Sequence, residues 1–292
     1  MTGMLVKMRL EKVSPLLSGI LYMLLASLFF AAMGAFVKAA SRTIPFFEVA
    51  FFRSLISFLI LFFLVKLKGI PVKATNWRGL IIRSVSGCAA FVCYFFAISR
   101  IHLADAVLLN YTSPFFTVLL AAPLLKEKID KKILLCLGVA FSGVILVLKP
   151  SGSFLNLGGL LGLLSGFLAA IAYIQVKQLS RTENSWTIVF YFTLLSTFLT
   201  LPLLFFNSVL PDLNSALLLL GVGASGAIAQ VLMTAAYRRI PASIGSVISL
   251  ATVVLAALLG ILFFKEHPDL LDYVGGLLIL GSGVYLTLNK KS

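Results

Sequence analysis

Val37–Arg42 reads VKAASR, and Val176–Arg181 reads VKQLSR. Further along each half, Ser142–Leu148 (SGVILVL) answers to Ser282–Leu288 (SGVYLTL), and Lys126-Glu127 to Lys265-Glu266. The offsets are 139, 140 and 139 residues, so the chain is one pattern written twice over nearly its whole length. A repeat of this kind sets the architecture before any single element is placed.

What is repeated is apolar. Of 292 residues, 60% are hydrophobic and 12% charged, whereas soluble domains carry roughly a quarter charged residues. A soluble surface could not be covered from so few polar side chains, and the same composition excludes disorder and a disulfide-stapled module. Breaking the chain at charged, Gly and Pro clusters leaves ten runs long enough for a bilayer core of about 30 Å. They are Ser14–Val37, Phe46–Val65, Gly79–Ser99, Leu103–Leu125, Ile133–Leu148, Gly158–Leu179, Trp186–Phe206, Asn214–Tyr237, Ala242–Phe264 and Leu270–Leu288. The predicted fold is an all-α integral membrane protein with ten transmembrane helices. Its repeats occupy residues 14–149 and 157–289. Five spans per copy is odd, so the second copy is inverted relative to the first, the arrangement of alternating-access carriers. The repeat also removes a signal-peptide reading of the first span, which has an equivalent in mid-chain.

The net charge of +14 would point to nucleic acid in a soluble chain. Here the basic residues sit in short breaks between apolar runs and have no aromatic interleaving, so nucleic acid is excluded as a partner. With the N-terminus inside, seventeen Lys and Arg fall in inside segments and five outside, with Arg53 and Arg83 within spans. Both termini are therefore expected in the cytoplasm, with anionic lipids of the cell (inner) membrane facing the basic loops. Cys88, Cys93 and Cys136 read as small apolar filler. His102 and His267 have no ligand-spaced neighbours, so neither metal nor cofactor is expected. No catalytic or phosphate-binding motif is present.

The sequence resembles the drug/metabolite transporter superfamily, EamA type. The likeness rests on FFRSL (Phe51–Leu55), AISRIHLADAVLLNYTSPFF (Ala97–Phe116), the Glu-bearing ends LLKEKI and FFKEHP, and the SGV tails of spans five and ten. One departure is that Lys126 and Lys265 stand where the family usually has Gly before the Glu, which puts a tight turn there in doubt. The segment Ser180–Phe192 is similar to the branch with bacterial riboflavin and S-adenosylmethionine carriers. The resemblance implies a secondary carrier for a small polar or zwitterionic metabolite: a flavin, S-adenosylmethionine or an amino-acid-like compound. Other family substrates include purines, opine metallophores and drugs. A drug or amino-acid exporter of the same fold is the alternative. A lipid-modifying enzyme is the alternative of another class, with only the Asp269–Asp272 pair to serve it, and a receptor or scaffold without transport is a third. A homodimer is left open.

Ionisable groups inside spans each need a reason. Arg53 lies about 10 Å into the second span, and its donor fork suits a carboxylate, a phosphate or ring carbonyls. A structural Arg on helix-end carbonyls is the competing reading. Arg83 reads as snorkelling to the nearer face. Glu48 and Asp105 begin spans and neither reads as clearly buried, while Glu127 and Glu266 read as structural groups at helix ends. Asn110-Tyr111-Thr112-Ser113-Pro114 is the most site-like stretch, because Pro114 frees a backbone carbonyl at membrane depth. Ser246, Ser249 and Thr252 are its hydroxyl-rich counterpart without proline, and a kink relieved by those hydroxyls is the plainer alternative. The expected substrate-binding set is Arg53, Tyr94, Asn110, Tyr111, Ser113, Tyr173, Gln175, Tyr191, Gln230, Tyr237, Ser249 and Thr252. Phe is left out because many of the 25 face lipid. Gly158, Gly162 and Gly166 read as close helix packing.

Overall fold

A computed structural model describes residues 14–289 apart from 153–154, 206–207, 210, 265–266 and 268. Twelve helices make ten membrane spans among the described residues. In chain order they are α1 Pro15–Ala40, α2 Phe46–Leu67, α3 Trp77–Arg100, α4 Leu103–Asn110, α5 Ser113–Leu125, α6 Lys131–Leu148, α7 Leu157–Leu179, α8 Ser185–Thr200, α9 Leu213–Arg239, α10 Ala242–Ser249, α11 Ala251–Phe264 and α12 Leu270–Asn289. The fourth span is α4 plus α5, and the ninth is α10 plus α11. Observed ends lie within three residues of those read from the apolar runs, save the seventh, where the α-helix stops at Thr200 and a 3₁₀ turn covers Leu201–Phe205. Lys7, Arg9, Lys12, Lys290 and Lys291, used above for orientation, lie outside the described residues.

Helix starts are set by side-chain caps. Ser14, Asn76, Asp130, Asn156, Asn184 and Asp212 each accept a backbone N–H from the first turn, answering donors the helix itself cannot satisfy. Large apolar side chains such as Leu67, Leu217 and Leu277 stay exposed on the outside, where the solvent is lipid rather than water.

Packing follows the repeat. The main pairs are α1 with α9, α3 with α7, and α6 with α12. The first two exchange under the internal pseudo-two-fold and the third maps onto itself, so the molecule is two inverted repeats. The third pair comes close through glycine: a Cβ on Gly143 would lie 2.5 Å from the Gly275 carbonyl, and one on Gly275 2.6 Å from that of Gly143. Gly158, Gly162 and Gly166 of α7 likewise have no room for a Cβ, meeting Arg100, Leu109 and Thr112. The expectation of close packing holds for them.

Carboxylates join the halves. Glu127 accepts from the amides of Ala242 (2.7 Å) and Ser243 (3.1 Å) and from the Ser243 hydroxyl (2.6 Å), capping α10 from across the repeat boundary. This is the helix-end role expected of it; Glu266 lies outside the described residues. On the same face Glu183 accepts from the Thr75 amide, the Thr75 hydroxyl and the Asn76 amide, all at 2.7 Å. Burial works against its charge, but these donors prevail and hold its carboxyl below the usual range. In the corresponding loop on the opposite face, where Ile44 is the counterpart of Glu183, the Thr43 and Ser215 hydroxyls meet at 2.9 Å.

Two expectations are corrected. Glu48 is 1% exposed and Asp105 fully buried. Glu48 accepts the Val209 amide, and Asp105 is bound by the Ser151 hydroxyl and the Gly152 amide. Loop donors fold over both residues, which the helical pattern cannot reveal. The tight turn at Lys126 also survives the loss of glycine, since Lys126 adopts φ 57°, ψ 33°; its counterpart Lys265 lies outside the described residues.

Candidate functional site

The second, seventh and eighth spans converge on a small, largely enclosed cavity lined by Arg53, Ser54, Ser57, Phe192, Thr193, Ser196 and Gln230, with a volume of about 10 Å³. That is room for roughly one water, so a metabolite enters only if the surrounding spans move apart.

Arg53 is buried, with its Nε donating to the Met33 sulfur at 3.3 Å and its guanidinium 4.8 Å from the Phe91 ring. Arg83 corrects the sequence expectation: it is 2% exposed and does not snorkel. Its side chain turns into the protein, where Nη2 donates to Gln230 Oε1 at 2.9 Å and the guanidinium lies 4.0 Å from the centre of the Phe192 ring. Gly87, one turn on, makes this possible, since a Cβ there would fall 2.1 Å from Arg83 Nη1. α2 and α3 enter from opposite faces, so the two arginines approach from opposite sides and come within electrostatic reach of each other. Neither has an ion-pair partner among the described residues. Among the described residues the Arg83 Nε and the Ser196 hydroxyl are buried without a hydrogen bond; the Ser196 hydroxyl lies beside the poorly accepting Cys88 thiol. A charge at the helix centre costs about 2.5–3.5 kcal/mol on insertion scales. Two aromatic faces and a thioether offset part of that for each but neutralise neither.

Of the predicted residues, Arg53 and Gln230 line this cavity. Tyr173 is within electrostatic reach of both guanidinium groups, and its ring packs on the buried Tyr237 at 5.8 Å. Tyr111 and Thr252, at the breaks of the fourth and ninth spans, meet through their side chains, with Tyr94 and Tyr173 close by. The remaining residues stand apart. Asn110 donates to Ser165 at 3.0 Å, within the α4–α7 contact. Ser113 is buried, with its carbonyl bonded by Thr117. Ser249 and Thr252 hydroxyls bond the carbonyls of Ser246 and Ser249, each at 2.7 Å, the relief of the kink weighed above. Tyr191 packs edge-on against Trp77 at 4.8 Å, toward the helix ends. Gln175 is half-buried and makes no hydrogen bond among the described residues.

Sequence reasoning missed Arg83, Phe91 and Phe192. A signal was present: FYFTL (Phe190–Leu194) is the repeat counterpart of FFRSL, which puts Phe192 at the equivalent of Arg53. The second copy thus supplies a ring where the first supplies a cation, and the Arg83 guanidinium stacks on it.

An inverted-repeat helical bundle, with broken helices around a polar, buried centre and no clustered metal-binding side chains among the described residues, defines a multi-pass membrane transporter. The chain belongs to the EamA-like transporter family, whose model matches residues 17–149 and 156–288. It is 38% identical over 276 residues to the pseudopaline exporter of Pseudomonas aeruginosa, covering 94% of this chain and 97% of that one. It is 28% identical to a riboflavin transporter of Brucella anthropi, covering 85% of this chain and 90% of that one. A crystal structure at 19% identity shares the fold, with a TM-score of 0.82 over 93% of this chain and 96% of that one. The protein is a transporter of a small polar solute and not an enzyme.

Proposed function

We propose that the chain is a secondary active exporter of a small polar organic metabolite. It works by alternating access of the 14–149 and 157–289 repeats about the Arg53–Arg83 centre, in the cell (inner) membrane with both termini cytoplasmic. The observation that carries this reading is the pair of buried arginines without a counterion among the described residues, one lining a small cavity and the other held by Gln230 and Phe192 of the same lining, where symmetry-related spans cross. The broken fourth and ninth spans support it, because irregular backbone at membrane depth belongs beside a site or cavity. Export follows the pseudopaline exporter, the nearer of the two named relatives in sequence. Within this reading an opine-like or amino-acid-like compound ranks above the flavin and S-adenosylmethionine of the earlier expectation.

The test is flux per folded molecule in inside-out vesicles without ATP, using a metabolite panel that includes amino acids and opines. Arg53→Lys keeps the charge and loses the fork, so flux falls well below wild type while the protein still folds; Arg53→Ala abolishes it. No energised flux of any panel member by wild type, or normal specific flux in either variant, overturns the reading.

A further inference from the structure

We propose that the Arg53–Arg83 centre selects a small organic anion, whose carboxylate or phosphate supplies the counterion that no described residue provides; the proposal rests on the transporter reading above. Both guanidinium groups are buried and both stay charged at any physiological pH, and they share one site: Gln230 and Phe192, which hold Arg83, line the cavity that Arg53 also lines. The described carboxylates are all engaged elsewhere, although Glu48 Oε2 is buried without a hydrogen bond. Glu48, Asp105, Glu127 and Glu183 serve loop and helix-end donors, and the others cap helices or pair with Lys149. Glu11 and Glu266 lie outside the described residues.

The groups that do hold the arginines are two phenylalanine rings, a thioether and an amide oxygen. Each has a weak or partial negative pole, suited to stabilising a cation while the site is empty and to yielding when a full charge arrives. Donors also remain open. Arg83 Nε has no partner, and the Ser196 hydroxyl faces the cavity without a well-formed bond. An oxyanion is the one ligand chemistry that meets every one of these features, since it neutralises the charge and accepts from planar forks and a hydroxyl together. A neutral ring system would leave the pair unneutralised, and a cationic solute would add a third positive charge.

The experiment uses the purified full chain in detergent and follows its melting temperature against four probes: glutarate, glutaramide, 1,5-diaminopentane and 3-phosphoglycerate. Binding to the native state raises the melting point. Glutarate, 3-phosphoglycerate or both should raise it by several degrees in a saturable manner, and which acts tells carboxylate from phosphate; the diamide and the diamine should not. Arg83→Gln and Arg53→Gln should weaken the response at least tenfold. Should those variants fold poorly, Gln230→Glu remains. It places a carboxylate where an amide oxygen now sits 2.9 Å from Arg83 Nη2, so the unliganded protein should melt higher and lose its anion response.

Equal stabilisation by glutaramide, stabilisation by the diamine, silence toward both anions, or a full anion response in Gln230→Glu each overturns the proposal. Energised flux of a neutral or cationic metabolite keeps the exporter reading and sinks this one. Anion binding without flux does the reverse.

Discussion

Gly87→Ala puts the Arg83 arrangement to its most direct test. The new Cβ would fall 2.1 Å from Arg83 Nη1 and 2.9 Å from Phe192 Cε2. The first contact is to the end of a flexible side chain, so the backbone survives and the guanidinium is displaced. Displacement forfeits the hydrogen bond to Gln230, worth about 1.5–3 kcal/mol for a charged donor, and the stacking on Phe192, worth up to about 2 kcal/mol when desolvated. The exchange of Gly for Ala within a helix returns up to about 1 kcal/mol. The balance is a loss of roughly 0.5–5 kcal/mol in stability. If the guanidinium meets substrate, flux per folded molecule falls by about tenfold or more, at 1.4 kcal/mol per tenfold. The assays are melting in detergent and energised uptake into inside-out vesicles. A variant that melts higher than wild type, as helix propensity alone dictates, and transports at the normal specific rate refutes the reasoning.

Other outcomes follow from the joints between repeats. Glu127→Ala removes the acceptor for three donors at the start of α10 and should lower stability by about 1–2 kcal/mol, the scale of a lost helix cap, as a lower melting temperature; unchanged melting refutes the clamp. Glu183 has its carboxyl held below the usual range. Its contribution is therefore full above the ordinary glutamate value and is lost as pH falls through the lowered one. Glu183→Gln should melt lower at neutral pH and show a flatter acid limb in melting temperature against pH, whereas an unchanged limb refutes the assignment. Lys126→Gly relieves a left-handed residue at φ 57° and should raise stability by roughly 0.5–1 kcal/mol, seen as a higher melting temperature.

The fold was legible because bilayer thickness fixes span length and the repeat fixes the inversion. Lys126-Glu127 and the SGV tails carry that register without any structure. The centre was legible only in part. Arg53 announces itself by depth from either end of its span. Arg83 does not, because six residues from the start of α3 an Arg can equally reach the face or turn inward. What decides is Gly87 beneath it and Phe192 from the other repeat, and the second of these is a contact between residues more than a hundred positions apart. Glu48 and Asp105 were misjudged for a similar reason, since donors from loops cover them. The hydroxyls of Ser249 and Thr252 looked like site groups, yet they spend their protons on their own helix; composition does not distinguish a hydroxyl offered to a solute from one consumed by the backbone.

Ile44 stands at the repeat counterpart of Glu183, and the two loops do unequal jobs. One hydroxyl pair joins the halves on the first face, where an ion gripped by three donors joins them on the second. Had both copies kept the same residue, this joint would resist separation equally from either side, and the duplication would leave it no preferred sense. With Ile44 on one side and Glu183 on the other, the two joints are unequal: parting the second face strips an ion of three donors, whereas parting the first breaks one hydroxyl pair.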